Sequence, residues 1–255
     1  MIKILMHGCS GRMGRIITAL ATEDPRFTIV AGVDTRPADD LGYPVYTTLA
    51  DVTEVYDIVI DFSTASVVPA LLDFCAKAQK PLVLCTTGLD SETEAKVRET
   101  AGVIPVFFSA NMSLGINLLI ELCQKAASIL APAGFDIEIN ERHHNRKLDA
   151  PSGTALSIGR GLIETLGSDY YTSTDRCEKR QARDPHEIGM TAMRGGTIVG
   201  EHTVLFAGHD ELFEIKHNAL SREVFGNGAL NAAAFLVGKE AGMYSMKDLL
   251  EEKTE

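Results

Sequence analysis

The densest chemistry in the chain runs from Glu141 to Thr154, in the order Glu-Arg-His-His-Asn-Arg-Lys-Leu-Asp-Ala-Pro-Ser-Gly-Thr. Two adjacent imidazoles, His143 and His144, are followed by Lys147, with Arg142 and Arg146 as further cations. Histidine passes protons near neutral pH, and a lysine beside other cations gives up its proton more readily. Pro151-Ser152-Gly153-Thr154 then has the form of a helix start. Ser152 is the candidate N-cap, which leaves the N–H groups of Gly153 and Thr154 for an anion. Cations beside a helix N-terminus make a carboxylate-binding arrangement. Three other readings compete. The stretch could be a solvated basic loop. Glu141, His143 and His144 could ligate a metal, but adjacent strand residues point to opposite faces, which is poor geometry for one ion. Hydrolysis at Ser152 is weak, because no G-x-S-x-G turn surrounds it.

A second cluster is Gly8-Cys9-Ser10-Gly11-Arg12-Met13-Gly14, between an apolar run and a helical pattern. A pyrophosphate needs small residues there. The turn is tight, the backbone must come close, and the free N–H groups of the helix start attract the anion. Twenty residues after Gly14 comes Asp34, where a carboxylate would bond adenosine ribose hydroxyls. Arg36 could meet a 2′-phosphate, so NADH and NADPH both remain open as cofactor. Two further loops, Thr86-Thr87-Gly88 and Ser109-Ala110-Asn111-Met112, follow apolar runs. Ligands of an open α/β sheet sit outside the carboxyl ends of its strands, so these loops should border the cofactor.

The elements that must position these groups alternate in the first half. Strands are expected at 2–7, 27–34, 58–60, 81–85 and 104–108, and helices at 12–22, 67–78 and 91–100. That spacing implies right-handed βαβ units and a parallel sheet covered on both faces. The pattern then changes. A long helix at 114–130 precedes a strand at 135–142, a helix at 154–166 and a polar loop at 168–185. Strand-like stretches at 196–206 and 212–217, joined by a short turn, favour antiparallel pairing. Helices are expected at 228–240 and 245–251. A domain boundary falls near Asn111, and the C-terminal helices are expected to return to the first domain.

Composition narrows the function classes. The chain has 255 residues, 45% hydrophobic and 23% charged, with a formal net charge of -11. An acidic protein lacks the basic surface that general nucleic-acid binding needs. Five scattered cysteines without a C-x-x-C pair read as free thiols in a reducing compartment. No apolar run approaches the length of a membrane helix, and Met1-Ile2-Lys3 leads straight into a strand. The expectation is a soluble, cytoplasmic protein with no nucleic-acid or membrane partner.

At this level of detail the sequence resembles the 4-hydroxy-tetrahydrodipicolinate reductase (dihydrodipicolinate reductase) family. The resemblance rests on Gly11-Arg12-Met13-Gly14, Asp61-Phe62-Ser63, Thr86-Thr87-Gly88, Ser109-Ala110-Asn111-Met112-Ser113 and Glu141-Arg142-His143-His144. Its most specific segment is Lys147-Leu148-Asp149-Ala150-Pro151-Ser152-Gly153-Thr154-Ala155, and it continues through Gly200-Glu201-His202-Thr203 and Gly238-Lys239-Glu240.

The resemblance implies NAD(P)H-dependent reduction of 4-hydroxy-tetrahydrodipicolinate to tetrahydrodipicolinate, on the diaminopimelate route to lysine. It implies an α/β fold: a Rossmann-type parallel-sheet dinucleotide domain plus a smaller mixed α/β substrate domain with an open sheet. The expected division is 1–111 joined by 225–255 for the dinucleotide domain, and 112–224 for substrate binding and assembly, as a homotetramer. On this resemblance the proton-transfer histidine falls on His143 and the catalytic lysine on Lys147. His144, Gly153 and Thr154 match contacts to the carboxylates of a cyclic dicarboxylate. Gly8, Cys9, Ser10, Gly11, Arg12, Met13, Asp34, Cys85, Thr86, Thr87, Ser109, Ala110, Asn111 and Met112 match cofactor positions; no metal is implied. Three positions depart from the family pattern. Cys85 stands where glycine is frequent, Met112 where phenylalanine is common, and Thr35 where some members carry arginine. Two rivals are another two-domain Rossmann oxidoreductase and a non-catalytic NAD(H) sensor. Each explains residues 8–34 and leaves 143–154 without a task.

Overall fold

In the computed structural model the described residues are 1–252 without Pro37, Ala110, Asp175, Cys177 and Glu178. Strands follow in chain order as β1 (Ile2–His7), β2 (Phe27–Val33), β3 (Val45–Tyr46), β4 (Ile58–Asp61), β5 (Leu82–Leu84) and β6 (Pro105–Phe108). After them come β7 (Asp136–His143), β8 (Tyr171–Ser173), β9 (Glu187–Arg194), β10 (Gly200–Ala207), β11 (Leu212–Ala219) and β12 (Gly242–Tyr244). The helices are α1 (Arg12–Glu23), α2 (Val68–Ala78), α3 (Ser91–Ala101), α4 (Leu114–Leu130), α5 (Gly153–Leu166), α6 (Glu223–Leu236) and α7 (Met246–Glu252). The chain forms two compact units, Met1–Leu114 with Arg222–Glu255, and Gly115–Ser221. Among the described residues no helix is long and apolar enough to cross a membrane.

The first unit is a seven-stranded parallel sheet in the order β12-β6-β5-β4-β1-β2-β3. Its central strands are unbroken apolar runs because both faces are covered. Ile4, Met6, Ile58, Ile60 and Val83 face a core shared with Ile17 and Ala21 of α1 and with Ala229, Ala232, Ala233 and Leu236 of α6. Leu5, Val59, Leu82 and Leu84 face the opposite core, closed by Leu71, Leu72 and Cys75 of α2 and Val97 of α3. The strand order reverses between β1 and β4, so the ends of these two strands flank the crevice of the sheet.

The second unit is a mixed sheet, β11-β10-β7-β9-β8, in which β7 pairs antiparallel with β10 and parallel with β9. Along β7 alternate residues are buried: Ile137 and Ile139 pack with Leu119 and Cys123 of α4, Ile158 and Leu162 of α5, and Val204 and Phe206 of β10. The helices cover one face and leave the other open, with Met193 and Leu212 exposed on it.

The structure corrects the expected elements in four places. Residues 168–185 are not all loop, because β8 adds an edge strand at 171–173. Residues 187–194 form β9, which the sequence pattern does not signal. Gly189 weakens its strand character, yet a Cβ there would collide with the Glu138 carboxylate on the neighbouring strand. The expected strand at 196–206 accordingly starts only at Gly200. The helix expected at 228–240 spans Glu223–Leu236 instead. Gly226 and Gly228 are tolerated within it because Leu20 and the Met112 carbonyl press against them, and Gly238, at φ +86, follows its end.

Candidate active site

In the first unit, β1 passes into α1 through the glycine turn. Gly8 has φ +81, and a Cβ on it would lie 2.5 Å from the Phe62 carbonyl oxygen. Only glycine is compatible with both constraints. Gly14 packs so closely on the Gly8 carbonyl that any side chain would displace the turn. Gly11 is the extended N-cap of α1; it makes no side-chain cap, and no acidic residue occupies the first turn. The helix start is therefore open to an anion. Asp34, just beyond β2, accepts the Ser10 N–H at 3.0 Å and the Arg36 N–H at 3.2 Å. Its carboxylate so ties the turn to the end of β2. Gly8, Gly11, Asp34, Arg36, Ser63 and Thr64 line one cleft of about 370 Å³. A backbone cradle beside a carboxylate fits a dinucleotide.

The other expected cofactor positions divide by burial. Cys9 turns its thiol inward against Gly32, and Cys85 and Met112 are also core residues. These three can offer a ligand only backbone. Burial pushes the Cys9 and Cys85 thiols up, so they remain protonated. Ser10 donates its hydroxyl to the Arg36 carbonyl, Arg12 is exposed and Met13 half-buried. Thr86 is buried on Asp61, whereas Thr87 is exposed. Ser109 and Asn111 bond each other, and Ala110 lies outside the described residues.

In the second unit the organising group is Glu141, fully buried one pleat before the end of β7. Its Oε2 lies 2.5 Å from His143 Nδ1 and accepts from Arg194 Nη1 at 2.8 Å. Its Oε1 accepts from Arg194 Nη2 at 2.7 Å and from the Ser152 N–H at 2.9 Å. One carboxylate thus joins the end of β7, the end of β9 and the start of α5. Burial pushes Glu141 up, but bonds from Arg194, His143 and Ser152 outweigh it and hold the carboxyl below its usual range. An ionised carboxylate only accepts, so His143 carries a proton on Nδ1 and presents Nε2. A Cβ on Gly200 would sit 3.1 Å from that Nε2. Burial lowers the His143 pKa; Glu141 opposes this, while Lys147 and Arg194 add to it.

Ser152 caps α5, its Oγ accepting the Ala155 N–H at 3.2 Å and lying 3.2 Å from His202 Nε2. His202 meets the His143 ring edge to face, at 5.2 Å between centroids. Lys147 Nζ lies 2.9 Å from Asp149 Oδ1. Burial pushes the Asp149 carboxyl up, but Lys147 and the Gly153 N–H hold it below the ordinary value. Asp149 is thus an internal carboxylate on the groups expected to bind one. The His144 N–H donates to the Ile198 carbonyl at 2.8 Å, and Thr154 stands in the first turn of α5. Among the described residues no group of three or more His, Cys, Asp or Glu is placed to hold a metal.

Known proteins match this arrangement along the whole chain. Residues 2–112 match the family model described as dihydrodipicolinate reductase, N-terminus, and residues 115–250 match its C-terminus. The chain belongs to the dihydrodipicolinate reductase family. Similar members include the 4-hydroxy-tetrahydrodipicolinate reductases of Caldanaerobacter subterraneus subsp. tengcongensis, 51% identical over 99% of both chains, and of Clostridium novyi, 42% identical over 99% of this chain and 100% of the relative. A dipicolinate-bound dihydrodipicolinate reductase from Paenisporosarcina sp. TG-14 superposes with a TM-score of 0.80 at 24% identity, covering 96% of this chain and 97% of that one.

For a dihydrodipicolinate reductase family member, two features here escape sequence reasoning. Arg194 lies on the unsignalled β9, and nothing near it in the chain marks it as the partner of Glu141. Asp61 also escaped as a hub. It was legible as a motif residue, but its bonds to His7 and Thr86 join three separate strand ends.

Proposed function

We propose that the chain reduces 4-hydroxy-tetrahydrodipicolinate to tetrahydrodipicolinate with NADH or NADPH, on the diaminopimelate route to lysine. The observation that carries this reading is the carboxylate of Asp149 on Lys147, beside a histidine fixed by Glu141. A substrate carboxylate would take the place of the Asp149 side chain. That exchange is easy, because an exposed ion pair is worth only about 0–1 kcal/mol. His144, Gly153 and Thr154 would share the binding of the substrate's carboxylates.

The first unit would bind the dinucleotide through residues 8–13 and Asp34, with the loops 85–87 and 109–112 beside it. The reduced nicotinamide supplies a hydride when bound. The chain's own residues supply charge and a proton. Lys147 Nζ neutralises a carboxylate, which makes the attached ring a better hydride acceptor. The substrate's 4-hydroxyl leaves as water, and the conjugated ring so formed accepts the hydride; the reduced ring then needs one proton, and Lys147 Nζ and His143 Nε2 are the two atoms that can deliver it. With Nδ1–H committed to Glu141, His143 must first take up a proton on Nε2.

Residues 112–224 would serve substrate binding and assembly, the open sheet face with Met193 and Leu212 supporting a homotetramer. Four cysteines, Cys9, Cys75, Cys85 and Cys123, are buried free thiols, which agrees with a cytoplasmic location. Cys177 lies outside the described residues.

The test is oxidation of NADH and NADPH in the presence of freshly generated condensation product of pyruvate and aspartate semialdehyde. Turnover that requires this product is expected. Binding of NADH without oxidation would leave a sensor and overturn the reading.

A further inference from the structure

His7 and Asp61 have no task in the reaction proposed above. They end β1 and β4, the neighbouring strands between which the sheet order reverses. An open α/β sheet receives its ligand at such a switch point. Histidine is not what the strand itself calls for: Ile4, Leu5 and Met6 before it are apolar and fully buried. A polar ring in that setting is costly unless it is bonded.

The ring is bonded on one side. His7 Nδ1 lies 2.6 Å from Asp61 Oδ1. Asp61 is fully buried; Oδ1 also accepts the Ser63 N–H at 3.2 Å, and Oδ2 accepts the Thr86 hydroxyl at 2.5 Å. A carboxylate accepts only, so the proton of the His7–Asp61 bond sits on Nδ1. In the neutral ring Nε2 then holds a lone pair. Among the described residues no hydrogen bond reaches Nε2. His7 lines the cleft that also holds Gly8, Gly11, Asp34 and Ser63.

The ligand must bring a donor to that lone pair. The phosphates of a dinucleotide have only acceptor oxygens, and a lone pair facing them is repelled. Its ribose hydroxyls donate. Val33 pairs with His7 across the strands and Asp34 follows it, so the ribose expected at Asp34 is within reach of the same crevice.

We propose that His7 Nε2 accepts a hydrogen bond from a ribose hydroxyl of the bound dinucleotide, Asp61 holding the ring in the tautomer that allows it. This rests on reading the cleft as the dinucleotide site. Because Asp61 also holds Thr86, the ribose contact and the loop after β5 share one buried anchor.

The test is calorimetric titration of the full chain with ADP, 2′-deoxy-ADP and 3′-deoxy-ADP. His7→Asn is the informative variant, since its amide N–H can keep the bond to Asp61 while nothing replaces Nε2. We expect it to weaken ADP binding about five- to tenfold, the worth of one neutral hydrogen bond. With one of the two deoxynucleotides, variant and wild type should bind alike. Equal ADP affinity of variant and wild type overturns the inference, as does a loss that persists through both deoxynucleotides. A binding enthalpy that changes with the ionisation enthalpy of the buffer in the wild type but not in His7→Asn would reveal proton uptake by the ring, place a cationic ring on a phosphate, and overturn the hydroxyl contact. A second measurement needs no substitution. In nitrogen-15 histidine spectra the lone-pair Nε2 signal of His7 should move upfield on ADP addition, and an unmoved signal overturns the contact. Asp34→Ala separates the two levels. If it leaves ADP binding unchanged, the cleft reading itself fails; if it weakens ADP while His7→Asn does not, only the His7 contact falls.

Discussion

Each unit buries one histidine against one carboxylate, at 2.6 Å for His7–Asp61 and 2.5 Å for His143–Glu141. The difference lies in what else the carboxylate holds. Asp61 accepts from a hydroxyl and a backbone N–H, both neutral. Glu141 accepts twice from a guanidinium as well as from a backbone N–H. Neutral partners make Asp61 a fixture that orients a ring and a loop. An arginine makes Glu141 half of a buried ion pair, and the histidine it orients feels Lys147 and Arg194 as like charges. The same two-residue device therefore suits recognition of an uncharged hydroxyl in one unit and proton chemistry on an anion in the other.

The largest expected effect separates the two carboxylates. Glu141→Ala strands a partly buried guanidinium and should cost about 3–5 kcal/mol of stability. Asp61→Ala strands only neutral donors and should cost about 1–3 kcal/mol. Urea unfolding of both variants decides the matter; equal losses would erase the distinction drawn here.

Acid titration sharpens it further. Burial pushes His202 down to about 4 from the ordinary 6.5, with like charge on His143 adding to the fall. The unfolded chain then binds a proton that the folded chain refuses. Above about pH 6.5 His202 has no effect, and stability drops as pH falls from there towards 4, by roughly 3 kcal/mol at most. Glu141, held low in the folded state, contributes stability that is lost at still lower pH, in the same direction. His202→Gln should flatten the limb between pH 6.5 and 4 in a series of urea melts. An unchanged slope would show that the second unit is not the acid-sensitive one.

The proposed catalytic pair comes next. His143→Gln and Lys147→Ala should each lower turnover by about a hundredfold, the usual scale of a general acid. On the proposal that both act on one ring, the double variant should fall short of the product of the two losses. Single-turnover hydride transfer measures this, and NADH fluorescence titration should show cofactor affinity intact in all three. Near wild-type turnover in both single variants would remove the second unit's claim to chemistry.

The smallest effect is expected at Asp34. Asp34→Ala should raise the KM for NADH about tenfold, one charge-assisted hydrogen bond. NADPH should suffer less, because its 2′-phosphate cannot use that bond and is repelled by the carboxylate. The loss for NADPH should not vanish, as the carboxylate also holds Ser10 and Arg36. Steady-state kinetics with both cofactors provides the check, and equal losses would sink the assignment of Asp34 to the ribose.

Most of the first unit was legible in the sequence because its strands are continuous apolar runs and its helices are regular, so period and length coincide with structure. Strand β1 begins and ends at the residues its apolar run predicts, 2 and 7. Strand β9 was not legible. Between its inward Ile188 and Met190 stands Gly189 on the opposite face, and its identity depends on Glu138 lying across that glycine, a long-range packing fact. The sites follow the same rule. Gly8, Asp34, His143 and Lys147 stand in local motifs. Arg194 and the Asp61 hub are defined by pairing across strands, and single-chain spacing carries no record of register.

The first unit is built from the two ends of the chain, 1–114 and 222–255. Synthesis proceeds from the N-terminus, and domains fold as units in that direction. A nascent chain ending at residue 221 contains all of the second unit's segment but lacks α6, whose Ala229, Ala232, Ala233 and Leu236 cover Ile4, Met6, Ile58, Ile60 and Val83. The ribosome thus delivers the inserted unit whole while the earlier one waits with an apolar sheet face bare. Aggregation during expression should therefore originate in the residues made first, and a chaperone binding the nascent chain should find its target there.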